Sequence, residues 1–488
     1  MMNRAVAAFL VLGLAVTALP VEAPAQTDRY LEIASSRRSS PVYYEAFVLP
    51  GLGEKEVVIV SYKVPHDRLV FMRYQEGGAG QAFRAGLDVM VEIFKDGDPF
   101  DSVVLKKEAF APDYEATIDP LQGVAGAVTF QVEPGTYGFR LQITDQNTSR
   151  TAASLVRPIT VPDYPNGALG KAFIAANVDE SDLFRSIKLS SLGGDANFGK
   201  GAVAVIPFTL GPESADPKIE WTLRRLDQAK VEEERKKRSE RIRHSAEKGD
   251  ESVGIRVEED EMLSSEGGVP VDSGIVMGAD LVPLKASVPV DILPDKVRLT
   301  EAAENPDYYA AIIDLRGERL ENGAYSLDVR LSGSSAKPQT TRFDTNWPDM
   351  PFSLFDVDIA IRNMEFILSK DDLKALRKGS RTDKMAQFRA FWDERDPTPE
   401  TAYNELMVEY FKRIDYAALE FRTGAGMIPN GLKTDRAKVY IVHGPPEDIS
   451  RSFPDQGGVL ETWKYDNGRT FTFQAVSSID PFYIVDGS

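Results

Sequence analysis

"GLDVMVEIFKDGDPFDSVVL", residues 86–105, alternates apolar and polar side chains on its way to an Asp-Gly pair. Leu87, Val89, Val91 and Ile93 share one side of the alternation, and Asp88, Met90 and Glu92 the other. Successive side chains of a strand point to opposite faces, so a period of two marks a half-buried β-strand. Asp96-Gly97 offers the two left-handed positions of a type I′ hairpin, and a returning strand is expected after it. Further on, "EPGTYGFRLQITD" (133–145) sets Tyr137, Phe139, Leu141 and Ile143 on one face and Arg140 and Gln142 on the other. No helical stripe interrupts this pattern, so residues 30–164 are expected to form an antiparallel β-sandwich.

A second segment, 167–345, ends on a similar phrase, "ENGAYSLDVRLSG" (321–333). Gly323 aligns with Gly135 and Tyr325 with Tyr137, and Leu327, Val329 and Leu331 follow in alternation. We expect a second sandwich related to the first by an internal repeat, although such phrases also end strands in unrelated β domains. Within it, an insertion at about 224–265 contains "RRLDQAKVEEERKKRSERIRHSAEKGDES", which has no Pro, no aromatic and almost no apolar residue. Glu232–Lys236, Glu233–Lys237 and Glu234–Arg238 are i,i+4 pairs in the favourable order, which suits a solvated helical arm or an unstructured loop. Its mixed charge argues against a nucleic-acid patch.

From about residue 350 the period turns helical. Ser369 is an N-cap candidate, with Asp372 three residues on and Gly379 as the stop. A further helix at about 382–394 is expected to bury Met385, Phe388 and Trp392. Thr398-Pro399 reads as the start of a long helix with a stripe of Leu406, Tyr410, Ile414, Ala417 and Phe421. After Gly424 short strands are expected: "KVYIV", "LETWKYD" and "RTFTFQA". The expected fold is therefore multidomain and mainly β, with two antiparallel, Ig-like β-sandwich domains followed by a C-terminal α+β domain over 350–488.

Composition bounds the rest. At 488 residues the chain suggests about three domains, and 42% hydrophobic with 27% charged residues is a globular balance. With 57 Lys and Arg against 75 Asp and Glu, the net charge is −18, a field that repels phosphate backbones. No nucleic-acid partner is expected. Arg4, the apolar "AVAAFLVLGLAVTAL" and the small Ala23 and Ala25 follow the order of a secretory signal peptide, with cleavage expected after Ala25. The other reading, a membrane anchor, needs roughly 20 apolar residues, and this run is shorter. We therefore expect an exported protein, periplasmic, outer-surface or secreted, that does not span the membrane once the signal is cleaved. Cysteine is absent, which removes disulfides, thiol catalysis and Cys-based zinc sites.

One further stretch reads least like ordinary packing: Gly431-Leu432-Lys433-Thr434-Asp435, followed by Arg436 and "AKVYIVHGPPEDI". With "FWDERDPTPETAYNE" (391–405), the helix ending in "YAALEF" and the closing "TWKYDNGRTFTF", it resembles the GWxTD domain over residues 350–485. Leu432 stands where the name-giving Trp would be. Arg395, Asp396, Asn404, Glu405, Gly431, Thr434, Asp435, Arg436, Gly444, Pro445 and Pro446 carry the likeness. The resemblance implies a domain map and an exported compartment, and it implies no reaction.

The same residues are the only candidates for chemistry. As a polar pocket, Glu405 or Asp435 would be a general base, Arg436 or Arg413 would hold an anion, and His443 would be an acid. As a structural network, they would lock a short sheet onto the long helix, with Glu409–Arg413 an ordinary surface pair. Gly431 and Gly444 would then take turn conformations, and Pro445 and Pro446 would end a strand. Histidine occurs three times, at His66, His244 and His443, with no zinc-ligand spacing, so no metal and no cofactor are expected. There is no G-x-S-x-G elbow and no phosphate-binding G-x-x-x-x-G-K-[ST] loop, and "QEGGAGQAF" (75–83) reads as a flexible loop. Two classes of function follow. One is a non-catalytic envelope or secreted component that binds a protein or glycan. The other is an enzyme acting on an envelope saccharide or peptide through acidic residues of the C-terminal domain.

Overall fold

The computed structural model describes residues 41–75, 81–164, 167–179, 185–210, 217–246, 268–285, 292–293, 296–302, 304, 306–332, 336–422, 431–455 and 457–487. The segment expected to be a signal peptide, most of the glycine-rich loop and the insertion beyond residue 246 lie outside the described residues. The hairpin that opened the sequence reading is present. Phe83–Lys95 pairs antiparallel with Asp98–Ala111, and Asp96 (φ 54°) and Gly97 (φ 89°) both take the left-handed conformation of the turn between them. Leu87, Val89, Val91 and Ile93 are fully buried, which is what their alternation demands of one face of a sheet. They face a three-stranded sheet of Tyr43–Leu49, Glu56–Pro65 and Gly123–Val132 across a core that includes Val58, Val60, Phe130 and Tyr137.

Glu56–Pro65 reads EVVIVSYKVP, a run without alternation, and it is buried on both faces. Val58 and Val60 turn into the first core, whereas Phe47, Leu49, Val57 and Ile59 pack against Phe173, Val205, Leu284 and Leu299 of the second sandwich. The two sandwiches thus share an apolar layer. In the second, a seven-stranded sheet curls until Arg185–Leu189 pairs with both Phe173–Asp179 and Lys296–Glu301, closing all but the short Ile292–Leu293 strand into a ring. Its outer face packs on a five-stranded sheet of Ala196–Asn197, Gln339–Asn346, Ala324–Ser332, Lys218–Arg225 and Val269–Met277. The two aligned phrases fold alike. The Tyr137 hydroxyl donates to the Glu133 carbonyl (3.0 Å) and the Tyr325 hydroxyl to the Glu321 carbonyl (2.9 Å), each four residues back and each with its ring buried. A tyrosine bonded back to the chain this way fixes the corner before its strand.

The charged insertion begins as helix α1, Gln228–Ala246. Lys237 pairs with Glu233 at 2.6 Å as the i,i+4 spacing requires, while Arg235 and Glu234 reach Asp344 and Arg342 of the adjacent sheet. The C-terminal domain follows with α2 (Val357–Asn363), α3 (Lys370–Leu376), α4 (Arg381–Asp393), α5 (Glu405–Glu420) and α6 (Asp435–His443). A four-stranded antiparallel sheet of Asp448–Ser452, Val459–Lys464, Thr470–Ala475 and Tyr483–Gly487 completes it. Phe411, Ile414 and Ala417 of α5, Trp392 of α4, and Trp463 and Phe473 of the sheet form its core. No helix among the described residues is long and apolar enough to cross a membrane.

Three local readings need correction. "KVYIV" is not a strand: it is the body of α6. Thr434 caps this helix by accepting from the Ala437 N–H, and Gly444 (φ 83°) stops it. Packed between α5 and the sheet, α6 buries Ala437, Val439 and Ile441, a spacing that mimics a strand. The long helix does not start at Thr398-Pro399 either. Those residues form a turn closed by Thr401 N–H donating to the Thr398 carbonyl (2.9 Å), and α5 begins after Asn404, whose side chain accepts from the Met407 N–H. Leu406 is accordingly half exposed rather than part of the buried stripe. Gly431, finally, is not left-handed; what it provides is proximity, since a Cβ there would stand 2.1 Å from the Ala417 carbonyl oxygen.

Candidate functional site

α5 and α6 run antiparallel in contact, and the sequence candidates are distributed along them. At one end, Glu405 opens α5 and accepts from the Thr398 hydroxyl at 2.6 Å. Asn404, buried beside it, donates to the Trp392 carbonyl at 2.9 Å, which ties α5 to α4. Asp396 accepts from the Thr398 N–H (2.9 Å), and the Arg395 guanidinium lies 3.9 Å from the centre of the Phe391 ring. In the middle, Arg413 bonds Glu409 at 2.7 Å, one helical turn away, and lies against Gly444 at the end of α6. At the other end, Gly431 sits on the last turn of α5 and Arg436 lies beside Phe421. α5 has 16 residues, so at ~1.5 Å rise each, Glu405 and Asp435 are about 22 Å apart along its axis. They do not share a pocket.

Asp435 is the first residue of α6. One oxygen accepts from Lys438 (2.8 Å) and the other from the Ile484 N–H (3.1 Å), joining helix to final strand. Burial pushes its carboxyl up, but the Lys438 ammonium and that N–H outweigh burial and hold it below the usual carboxylate range. A carboxylate so held is a weak base. His443 closes α6 with its ring against Phe471 and Tyr465. Burial, then the charges of Arg469 and Arg413, hold it below the usual histidine range. Its Nδ1 lies 3.3 Å from Arg469, and because a guanidinium only donates, that nitrogen accepts. Pro445 and Pro446 follow as the link to the sheet, and Tyr465 donates to the Gly444 carbonyl at 3.1 Å.

The sequence reading missed the most buried charge of the region. Glu461 is 1% exposed and collects three donors: Arg451 at 2.7 Å, Trp463 Nε1 at 2.8 Å and Arg436 at 3.5 Å. Arg436 is itself held between the Phe482 and Phe421 rings, 4.2 and 5.1 Å from their centres. The signal was present: Glu461 stands between Val459 and Trp463 on the inward face of its strand, where an acid requires a partner. Among the described residues no group of three or more His, Asp or Glu is placed to hold a metal ion.

The sheet has one more feature. Ser452 pairs with Leu460, Val459 with Ala475 and Gln474 with Tyr483, so Phe453, Val476 and Tyr483 all fall at one end of it. These three and nearby Ile479 are 73%, 84%, 62% and 67% exposed, the most exposed large apolar side chains among the described residues of this domain, and they form an apolar rim.

Comparison with known proteins adds one firm result: residues 330–482 match the GWxTD domain. No curated protein matches the chain in sequence. Among solved structures, a crystal structure of red sea bream transglutaminase shows a likeness at 11% identity. It covers 67% of this chain and 34% of that one, with a TM-score of 0.16. The chain thus spans about a third of that protein's length, and a likeness of this degree carries no argument about fold or activity.

Proposed function

We propose, taking residues 330–482 as a GWxTD domain, that the protein is an exported, non-catalytic component of the cell envelope or its surroundings, which docks a protein partner. The apolar rim of Phe453, Val476, Ile479 and Tyr483 carries the reading. Exposed apolar side chains gathered at one place rather than scattered mark an interaction surface. The polar residues support it from the other side. Asp435 is paired and held in its charged form, Glu405 is bonded about 22 Å away from it, and Glu461 is enclosed by its donors. Catalysis would ask instead for a carboxylate and an acid converging on an open cleft.

The test is a pull-down from the native envelope with the tagged protein, beside a Phe453→Ser/Val476→Ser variant. Both positions are exposed, so the melting temperature should stay within about 2 °C, as for surface substitutions in general. A partner captured by the parent and lost by the variant supports docking through the rim. A partner retained by the variant at full yield removes the rim from the account.

A further inference from the structure

Two guanidinium groups and an imidazole meet where α6 ends, at the end of the C-terminal sheet opposite the apolar rim. Val459 pairs with Ala475 beside the rim and Lys464 with Thr470 at the far end, about 17 Å along the strands. Arg469 immediately precedes Thr470, and its Nη1 donates to His443 Nδ1 at 3.3 Å. Arg413 comes from α5: its Nε donates to Glu409 at 2.7 Å, and its Nη1 lies 3.5 Å from the Ile441 carbonyl oxygen. A Cβ added at Gly444 would stand 3.1 Å from its Cζ and Nη2. Among the described residues, Glu409 is the only carboxylate bonded to either arginine.

Helix capping accounts for one of these arginines but not for both. A helix C-terminus attracts cations and leaves carbonyls to be bonded. Here the Tyr440, Ile441 and Gly444 carbonyls already accept from the Gly444 N–H (2.8 Å), from Arg413 and from the Tyr465 hydroxyl (3.1 Å). Arg469 bonds none of them. Its guanidinium carries five N–H donors, of which the His443 bond uses one. Since Nδ1 accepts, His443 holds its hydrogen on Nε2, which meets no acceptor among the described residues. Burial, then Arg469 and Arg413, hold the imidazole below the usual histidine range, so it is uncharged near neutral pH. The end of α6 therefore offers free donors, and two guanidinium charges against one carboxylate, on a chain of net charge −18. A neutral ligand would leave that charge unmatched, and a carboxylate offers only two oxygens. A phosphate monoester brings three acceptor oxygens, one for each donor group, and about two negative charges.

We propose that Arg413, His443 and Arg469 bind a phosphate monoester, with Arg469 supplying the unmatched charge and His443 Nε2 a neutral donor. The site is apart from the apolar rim, so it stands whether or not the rim docks a protein. The test is calorimetric titration of the full chain with glycerol phosphate and inorganic phosphate at fixed ionic strength, with glycerol and acetate as controls. Arg469 is exposed, so Arg469→Gln should keep the melting temperature of the parent. Lys106→Gln removes an equally exposed cation from the first sandwich and reports any loss due to net charge alone. We expect saturable binding of both phosphates, weakened about tenfold or more in Arg469→Gln and unchanged in Lys106→Gln. The proposal falls if neither phosphate saturates, if acetate binds as tightly, or if Arg469→Gln binds like the parent. It falls equally if Lys106→Gln loses as much affinity as Arg469→Gln.

Discussion

At Glu461 a side chain only 1% exposed accepts from two guanidinium groups and an indole N–H. Removing one member of such a set leaves the others buried without compensation, which generally costs more than the set contributed. Glu461→Gln should therefore destabilise the C-terminal domain by about 2–4 kcal/mol, toward the lower end because Arg451 is itself largely exposed. Asp435→Ala strands only a surface lysine and one backbone N–H near the edge of the sheet, and should cost about 1 kcal/mol or less. Thermal melts of the two variants side by side decide the order. If Asp435→Ala proves the costlier change, the buried set is not what fastens α6 to the sheet. The named motif drew attention to Asp435, whereas we expect the larger cost at Glu461, two strands from the one that Asp435 bonds. A single sequence shows residue type but not enclosure, and for a charge enclosure sets the cost.

Among the elements, those with strong local signals were legible. Ser369 caps α3 by accepting from the Asp372 N–H, as its spacing suggested, and the Asp-Gly hairpin is where its turn chemistry placed it. α6 was not legible, because a short helix covered on two sides loses the single apolar stripe on which period arguments rest. α5 was misplaced at its start because Thr-Pro serves turns and helix starts equally well; only Asn404, buried and bonded, does the capping. Gly431 belongs to this scale too. It lets the turn before α6 lie against the Ala417 carbonyl, where any side chain would collide with backbone that cannot move aside. We expect Gly431→Ala to cost more than about 2 kcal/mol, an overpacking penalty, despite alanine's better fit to helical backbone. Chemical denaturation measures it, and a variant within about 0.5 kcal/mol of the parent would show that the turn can retreat.

Over the whole molecule, the alternation of short strands conveyed a mainly β architecture, but not how the sandwiches meet. The informative run was EVVIVSYKVP, whose lack of alternation is the mark of a strand covered on both faces. At the edge of that shared layer, Glu45 of the first sandwich is 8% exposed. It is bonded to Ser61 at 3.2 Å and approached by Gly194 and Asp195 of the second. Burial, with Asp195 adding to it and Ser61 opposing, raises its carboxyl from 4.5 to about 7. The folded protein therefore keeps a proton that the unfolded chain releases above its own pKa. Stability from this group is full below about pH 4.5 and declines as pH rises through about 7, by on the order of 3 kcal/mol in all. Glu45→Gln should flatten the fall of melting temperature between pH 5 and 8 and leave the variant the more stable form at pH 8. Parallel pH profiles for parent and variant would count against a buried acid at this position.

The layer shared by Phe47, Leu49, Val57 and Ile59 with the second sandwich also has a mechanical meaning. Domains strung on linkers swivel, and a tug on one is absorbed as slack before its neighbour feels it. Here the joint is itself packed side chains, so torque on the first sandwich passes to the second without lost motion. The pair behaves as one stiff strut, and whatever grips one end is held at a set distance and angle from whatever is fixed to the other.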